Sequence, residues 1–154
     1  MRILSIDPGN VQTAFTIFDG KEILDADIYP NWQMLELLQA NNFDNVVCEM
    51  VACYGMAVGA TIFDTCLMIG NIQQICRDKE QTFELVFRKD IKLHICGQTR
   101  AKDSNIAQAL RDRFGEKGTK KAPGFFYGFK KDMWQAFAVG VYFYDKFIGE
   151  KSGK

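Results

Sequence analysis

Three carboxylates stand where the chain is expected to change direction, and acids so placed can converge on hard cations. Asp7 closes an alternating run that begins at Arg2, just ahead of the turn-forming Pro8-Gly9-Asn10, so its side chain is expected to project from a strand end. An acid in that position serves equally well as a turn former. Glu49 follows Val46-Val47-Cys48 and precedes Met50-Val51-Ala52. A carboxylate amid such neighbours is costly unless it meets a cation or a hydrogen-bonding partner. Asp132 opens the last apolar helical stretch after two lysines, a place the helix dipole favours for an acid whatever its role. Carboxylate oxygens from separate elements suit ions such as Mg²⁺, which keep positions for water and phosphate.

Cations gather in the other half of the sequence. Residues 1–80 carry 4 Lys/Arg against 11 Asp/Glu, whereas residues 88–131 alone carry 12 Lys/Arg against 4 Asp/Glu. The zero net charge of the 154 residues therefore hides a basic stretch, which fits either a solvated face or a polyanionic partner. Within it lie Arg88, Lys89, Lys92, Arg100 and Lys102, then a Gly/Lys-rich segment with Lys120, Lys121, Lys130 and Lys131 around Phe125, Phe126, Tyr127 and Phe129. Rings interleaved with lysines suit the stacking of unpaired bases; they suit equally a loop that folds its rings into the core. Tyr54, shortly after Glu49, is a further stacking candidate.

The elements that must position these residues follow from periodicity. Alternation and turns predict three antiparallel strands over 2–7, 12–19 and 22–29. A helix follows from Pro30-Asn31-Trp32, with Trp32, Leu35, Leu38 and Gln39 on one face, and then a buried strand over Asn45 to Met50. From Tyr54 to Asp78 apolar residues occupy several faces, which predicts a helix buried nearly all round, by its own sheet or partly by a second subunit. A strand over 82–88, helices over 90–96 and 102–114, a loop over 115–131 and a helix from Asp132 to Gly149 complete the chain. The sum is a mixed α/β sheet flanked by helices, in one domain spanning 1–150 with 151–154 as a frayed tail. At 47% apolar and 13% aromatic residues the chain can fill one core. The five cysteines are odd in number and irregularly spaced, which fits reduced core thiols. No run reaches the roughly 20 apolar residues of a membrane span, and an acid at position 7 comes too soon for a signal peptide. A cytoplasmic protein is expected, away from any membrane.

Four blocks, Ile3-Leu4-Ser5-Ile6-Asp7-Pro8-Gly9, Val46-Val47-Cys48-Glu49, Ile91 to Gly97 with Arg100-Ala101-Lys102, and Asp132 to Val139, resemble in order and separation the signature blocks of RuvC-type Holliday junction resolvases. The Gly/Lys loop and the Trp134 helix are most similar to the versions carried by bacteriophages, which would place the protein in the host cytoplasm. The resemblance implies an RNase H-like fold, three antiparallel strands then parallel ones, and a metal-dependent endonuclease. Asp7 would bridge two Mg²⁺ ions, with Glu49 completing one site and Asp132 the other, and Mn²⁺ would substitute. It also implies paired nicks in four-way DNA junctions that leave 5′-phosphates, made by a homodimer through the Tyr54 to Asp78 helix. Lys92, Arg100 and Lys102 fall in the family's DNA-contacting regions, although Lys102-Asp103 stands where the family more often has acid then lysine. A second departure is Gln135, at a position usually held by aspartate: three acids suffice, or Gln135 itself, Asp103 or a water takes that ligand's place, or catalysis is reduced. Rival expectations are a flap or fork nuclease of the same fold and a non-catalytic junction-binding protein. An actin-like phosphotransferase needs a longer, two-lobed chain, so no nucleotide cofactor is expected.

Overall fold

The structure, a computed structural model, describes residues 1–149. Strands β1 (Ile3–Asp7), β2 (Gln12–Phe18) and β3 (Ile23–Pro30) are followed by α1 (Asn31–Ala40), β4 (Asn45–Met50), α2 (Ala60–Asp78) and β5 (Phe83–Phe87). Helices α3 (Arg88–Cys96), α4 (Asp103–Phe114) and α5 (Met133–Phe143) come next, and a π-helical turn over Tyr144–Gly149 ends the described chain. The expected tail, 151–154, lies outside the described residues.

The five strands form one sheet in the order β3-β2-β1-β4-β5. The β1–β2 and β2–β3 pairs are antiparallel, and the β1–β4 and β4–β5 pairs parallel. Because successive side chains of a strand point to opposite faces, β1 and β4 each feed two cores. Ile3 and Val47 join the side that holds α5, with Phe18, Phe137 and Val139. Leu4, Ile6, Val46 and Cys48 join the side that holds α1 and α2, with Met34, Leu38, Met68 and Ile72. Burial on both faces explains why these strands read as nearly continuous apolar runs.

Several expectations change in detail. The buried face of α1 is Met34 and Leu38, while Trp32 is exposed, because the helix meets the sheet one step round from the Trp32 stripe. Helix α2 begins at Ala60, not Tyr54, and buries a single stripe of Thr65, Met68, Ile69, Ile72 and Cys76. Its own sheet does not bury it all round: within the single chain Phe63 is 61% and Leu67 69% exposed. Cys53 is exposed, so the thiols do not all belong to the core. In the Gly/Lys loop Phe126 and Phe129 are buried, Phe125 packs against the α5-side core, and Tyr127 is exposed. Phe125 stacks on Phe114 with ring centroids 5.0 Å apart, and Phe126 lies 4.7 Å from Trp134. These rings anchor the loop; burying two phenylalanines contributes on the order of 3–6 kcal/mol relative to leaving them in water.

Candidate active site

The same pleat that fills the cores sets the site. The parallel register pairs Ile6 with Cys48, so Asp7 and Glu49 emerge level with one another at the carboxyl ends of neighbouring strands. Counting in twos, Asp7 follows Ile3 and Ser5, and Glu49 follows Val47, so both carboxylates leave on the α5 side. On β5 Glu49 faces Val86, and two residues later the chain reaches Arg88, the first residue of α3. Strand order therefore brings two acids and an arginine to one place from three segments distant in sequence.

The turn after Asp7 is pinned by a small network. Asn31 donates from Nδ2 to the Gly9 carbonyl at 2.9 Å, and its Oδ1 accepts from Thr13 Oγ1 at 2.7 Å. Gly9 has no room for a side chain, since an added Cβ would stand 2.2 Å from the Gln12 carbonyl oxygen. Helix α5 comes close for a related reason: at Gly140 a Cβ would meet Ser5 Oγ at 2.7 Å. That close approach lets the helix lie on β1.

Asp7 and Glu49 are 9% and 6% exposed. Arg88 grips Glu49 with two nitrogens, Nε to Oε1 at 2.7 Å and Nη2 to Oε2 at 3.1 Å. Its Nη2 is also 3.8 Å from Asp7 Oδ1, and its Nη1 is 3.7 Å from Asp103 Oδ2. One cation thus faces three acids. Burial first, then the charge of Glu49, push the Asp7 carboxyl up to about 9, with Arg88 pulling the other way and Asp132 adding to the rise. The surrounding carboxylates hold Arg88 firmly in its charged form even though burial opposes it.

A cleft of about 980 Å³ opens over this cluster. Asp7, Glu49 and Arg88 line it together with Tyr54, Lys89, Lys92 and Arg100. The Lys89 ammonium lies 6.0 Å from the Tyr54 ring centroid. Of the expected DNA-facing residues, Lys92, Arg100 and Tyr54 therefore share a space with the acids. Lys102 does not line it; this residue precedes α4, where its backbone N–H donates to Asn105 Oδ1 at 2.8 Å. Lys120 and Lys121 sit exposed at the tip of a hairpin closed by the Gly118–Pro123 bridge, and they too lie outside the cleft lining, as do the exposed Lys130 and Lys131. Asp132 is exposed at the start of α5, near enough for its charge to be felt at Asp7. Gln135, one turn on, is buried.

No family model matches the sequence, and no curated protein matches it. Solved structures do. Over 95% of this chain and 96% of the other, it is similar to Thermus thermophilus RuvC with a TM-score of 0.69 and 17% identity. A T. thermophilus RuvC in complex with a Holliday junction substrate gives the same TM-score at 15% identity, with 92% of each chain covered. The fold is that of RuvC. The RNase H-like sheet of this chain, three antiparallel strands followed by parallel ones, carries Asp7 on its central strand β1 and Glu49 on the neighbouring β4.

Within this RuvC-like frame, the donor chemistry of Asp7 and Glu49 fits a hard divalent cation, since both offer carboxylate oxygens at the floor of the cleft. The Arg88 guanidinium engages Glu49 and approaches Asp7, and among the described residues no group of three or more His, Cys, Asp or Glu side chains is arranged to hold a metal. Asp103, a suggested replacement for the ligand missing at Gln135, instead faces Arg88. Sequence reasoning placed Arg88 near the site but missed its grip on Glu49. The signal was present in the parallel β4–β5 arrangement, which sets the first residue after β5 beside the last acid of β4. It also missed a second cluster, in which Asp145 accepts from Arg113 Nη1 and Nη2 at 2.6 and 2.8 Å and pairs with His94 Nε2 at 2.7 Å.

Proposed function

We propose that this chain is a metal-dependent, structure-selective DNA endonuclease that resolves four-way junctions by paired nicks leaving 5′-phosphates. The observation that carries this reading is the pair of buried acids, Asp7 and Glu49, at the floor of a cleft walled by Lys89, Lys92 and Arg100. Acids alone would repel a phosphodiester; flanking cations allow it to approach. The RuvC-like fold supports the choice of substrate, since one of the RuvC structures holds a Holliday junction. Asp7, Glu49 and Asp132 would hold Mg²⁺ or Mn²⁺. The ions supply Lewis-acid stabilisation of charge on the phosphate and its leaving 3′ oxygen. The chain's own residues bind and orient: Lys89, Lys92 and Arg100 fix the backbone, and Tyr54, 66% exposed at the rim, offers a ring to an unstacked base.

A junction with two-fold symmetry needs two active sites, and the exposed Phe63 and Leu67 on α2, continuous in sequence with exposed Met56 and Val58, suit burial against a second copy. The likeness to bacteriophage versions rests on the loop and the Trp134 helix alone. No helix among the described residues is long and apolar enough to cross a membrane.

One observation favours a second reading, a junction-binding protein that does not cut: Arg88 already neutralises Glu49. A labelled synthetic four-way junction, with flap and fork DNA beside it, incubated with Mg²⁺, Mn²⁺ or chelator, separates the readings. Symmetric metal-dependent nicks in the junction support the proposal. Preferential cutting of flaps or forks moves the substrate, and tight junction binding without cleavage in either metal favours the binding protein.

A further inference from the structure

Two buried carboxyls on adjacent strands repel when both are ionised unless a positive charge is near, and here the chain supplies one itself. Arg88 directs two nitrogens at the two oxygens of Glu49 and lies within 4 Å of Asp7. The guanidinium therefore engages both Glu49 oxygens, which a divalent ion would need in order to bind there. A second acid is within its reach, because its third nitrogen already faces the 55% exposed Asp103, and the Arg88 side chain itself is 39% exposed.

We propose that Arg88 is a built-in competitor for the metal, an arginine latch that closes on Asp7 and Glu49 in the metal-free protein and must swing toward Asp103 and the open cleft before a divalent ion can enter. The inference rests on the metal-dependent reading above. Arginine suits the task because its planar fork matches a carboxylate with two parallel hydrogen bonds and it stays charged at all ordinary pH. A divalent ion carries twice the charge, so it wins at sufficient concentration. A latch closed nine-tenths of the time weakens the apparent metal affinity by about tenfold, since only the open fraction binds. Released Arg88 points along the wall that already holds Lys89, Lys92 and Arg100, where a DNA phosphate would hold it open. Metal and DNA would then favour each other's binding.

The probe is Mn²⁺, titrated calorimetrically into the full-length wild type, Arg88→Ala, Arg88→Lys and Glu49→Gln, with melting of each measured with and without the metal. Arg88→Ala is expected to bind Mn²⁺ about tenfold more tightly than the wild type, to melt lower without metal and to gain more in melting temperature when Mn²⁺ is added. Arg88→Lys, which keeps the charge and loses the fork, should fall between them and serves where the alanine variant does not fold. Equal Mn²⁺ affinity in wild type and Arg88 variants, with junction cleavage intact, overturns the latch and leaves the nuclease reading standing. Weaker binding in folded Arg88 variants also overturns it and makes Arg88 a support for the acids. Absence of Mn²⁺ binding in wild type and both Arg88 variants overturns the latch together with the metal-dependent reading.

Discussion

Two arginines of this chain each hold a carboxylate with two nitrogens, and the two clusters differ in what surrounds them. At Asp145 a single acid meets Arg113 and His94, joining α4, α3 and the turn after α5. Burial raises the Asp145 pKa, but the hydrogen bonds and charges of Arg113 and His94 outweigh it and hold the carboxyl below its ordinary value. In the cleft the balance is reversed, with one arginine facing Asp7, Glu49 and Asp103, and Asp7 is pushed far up. The difference separates a joint from a site. A joint is finished when its charges match, whereas a cluster short of positive charge at the floor of a cleft is still open to a ligand.

The sharpest way to break this comparison is to neutralise an acid in each. Asp7→Asn and Glu49→Gln are expected to lower junction cleavage by on the order of 10³ or more, since the charge that holds the metal goes. Junction binding, read by gel shift, should persist. Their stabilities should part company: Asp7→Asn, which removes a carboxyl that burial and Glu49 make costly to ionise, melts no lower than the wild type. Glu49→Gln melts lower, because Arg88 loses its two-nitrogen partner. Near wild-type cutting by either variant removes that acid from the chemistry.

Proton linkage gives the next contrast. The Asp7 pKa is raised on folding to about 9, so the folded metal-free protein holds this proton more tightly than the unfolded chain does. That stability is fully present below the ordinary carboxylate pKa of 3.8 and is lost as pH rises toward about 9. The Asp145 pKa is lowered, so its contribution is present above the ordinary value and lost as pH falls through the depressed one. In chelator, melting temperature should fall from mildly acidic toward alkaline pH, and Asp7→Asn should flatten that limb alone. An unchanged alkaline limb in Asp7→Asn would show that the buried acid pair does not control it.

A smaller effect is expected at the joint itself. Arg113→Ala removes charge-assisted hydrogen bonds that are half in solvent, which costs about 1–2 kcal/mol. Melting should drop accordingly while the metal dependence of cleavage stays as it was. A shifted metal midpoint in this variant would mean that the two clusters communicate through α3, whose first residue is Arg88 and whose last turn holds His94.

How much of this could be read from sequence follows from where the determining interactions lie. The Asp7 strand, the Val46-Val47-Cys48-Glu49 strand and Gly97 at the end of α3 are written in local pattern, so the sheet and its order of elements were legible. The exposed side of α2 was not, because Phe63 and Leu67 carry the same apolar signal whether a sheet, a second copy or water covers them. The loop rings were undecided for a related reason: Phe126 packs on Phe114, Trp134 and Phe137, partners that only the tertiary fold brings to it. Arg88 was invisible as the Glu49 partner, since 39 residues separate them and only strand pairing makes them neighbours.

The smallest effect tests which lysines see DNA. From sequence, Lys92 and Lys102 were equal candidates, and the structure makes them unequal: Lys92 lines the cleft with the acids, and Lys102 does not. Each phosphate contact releases close to one counterion, so removing one flattens the plot of log K against log salt by about one unit. Lys92→Ala should show this flattening in fluorescence anisotropy with a labelled four-way junction, in chelator so that no cutting intervenes. Lys102→Ala should change the slope by less, and Lys120→Ala, at the exposed hairpin tip, serves as a third arm. A steep wild-type slope that only Lys120→Ala reduces would move the DNA path off the cleft and onto the Gly/Lys loop. The acids at the cleft floor would then have no phosphate to act on, and the contrast between joint and site would lose its functional meaning.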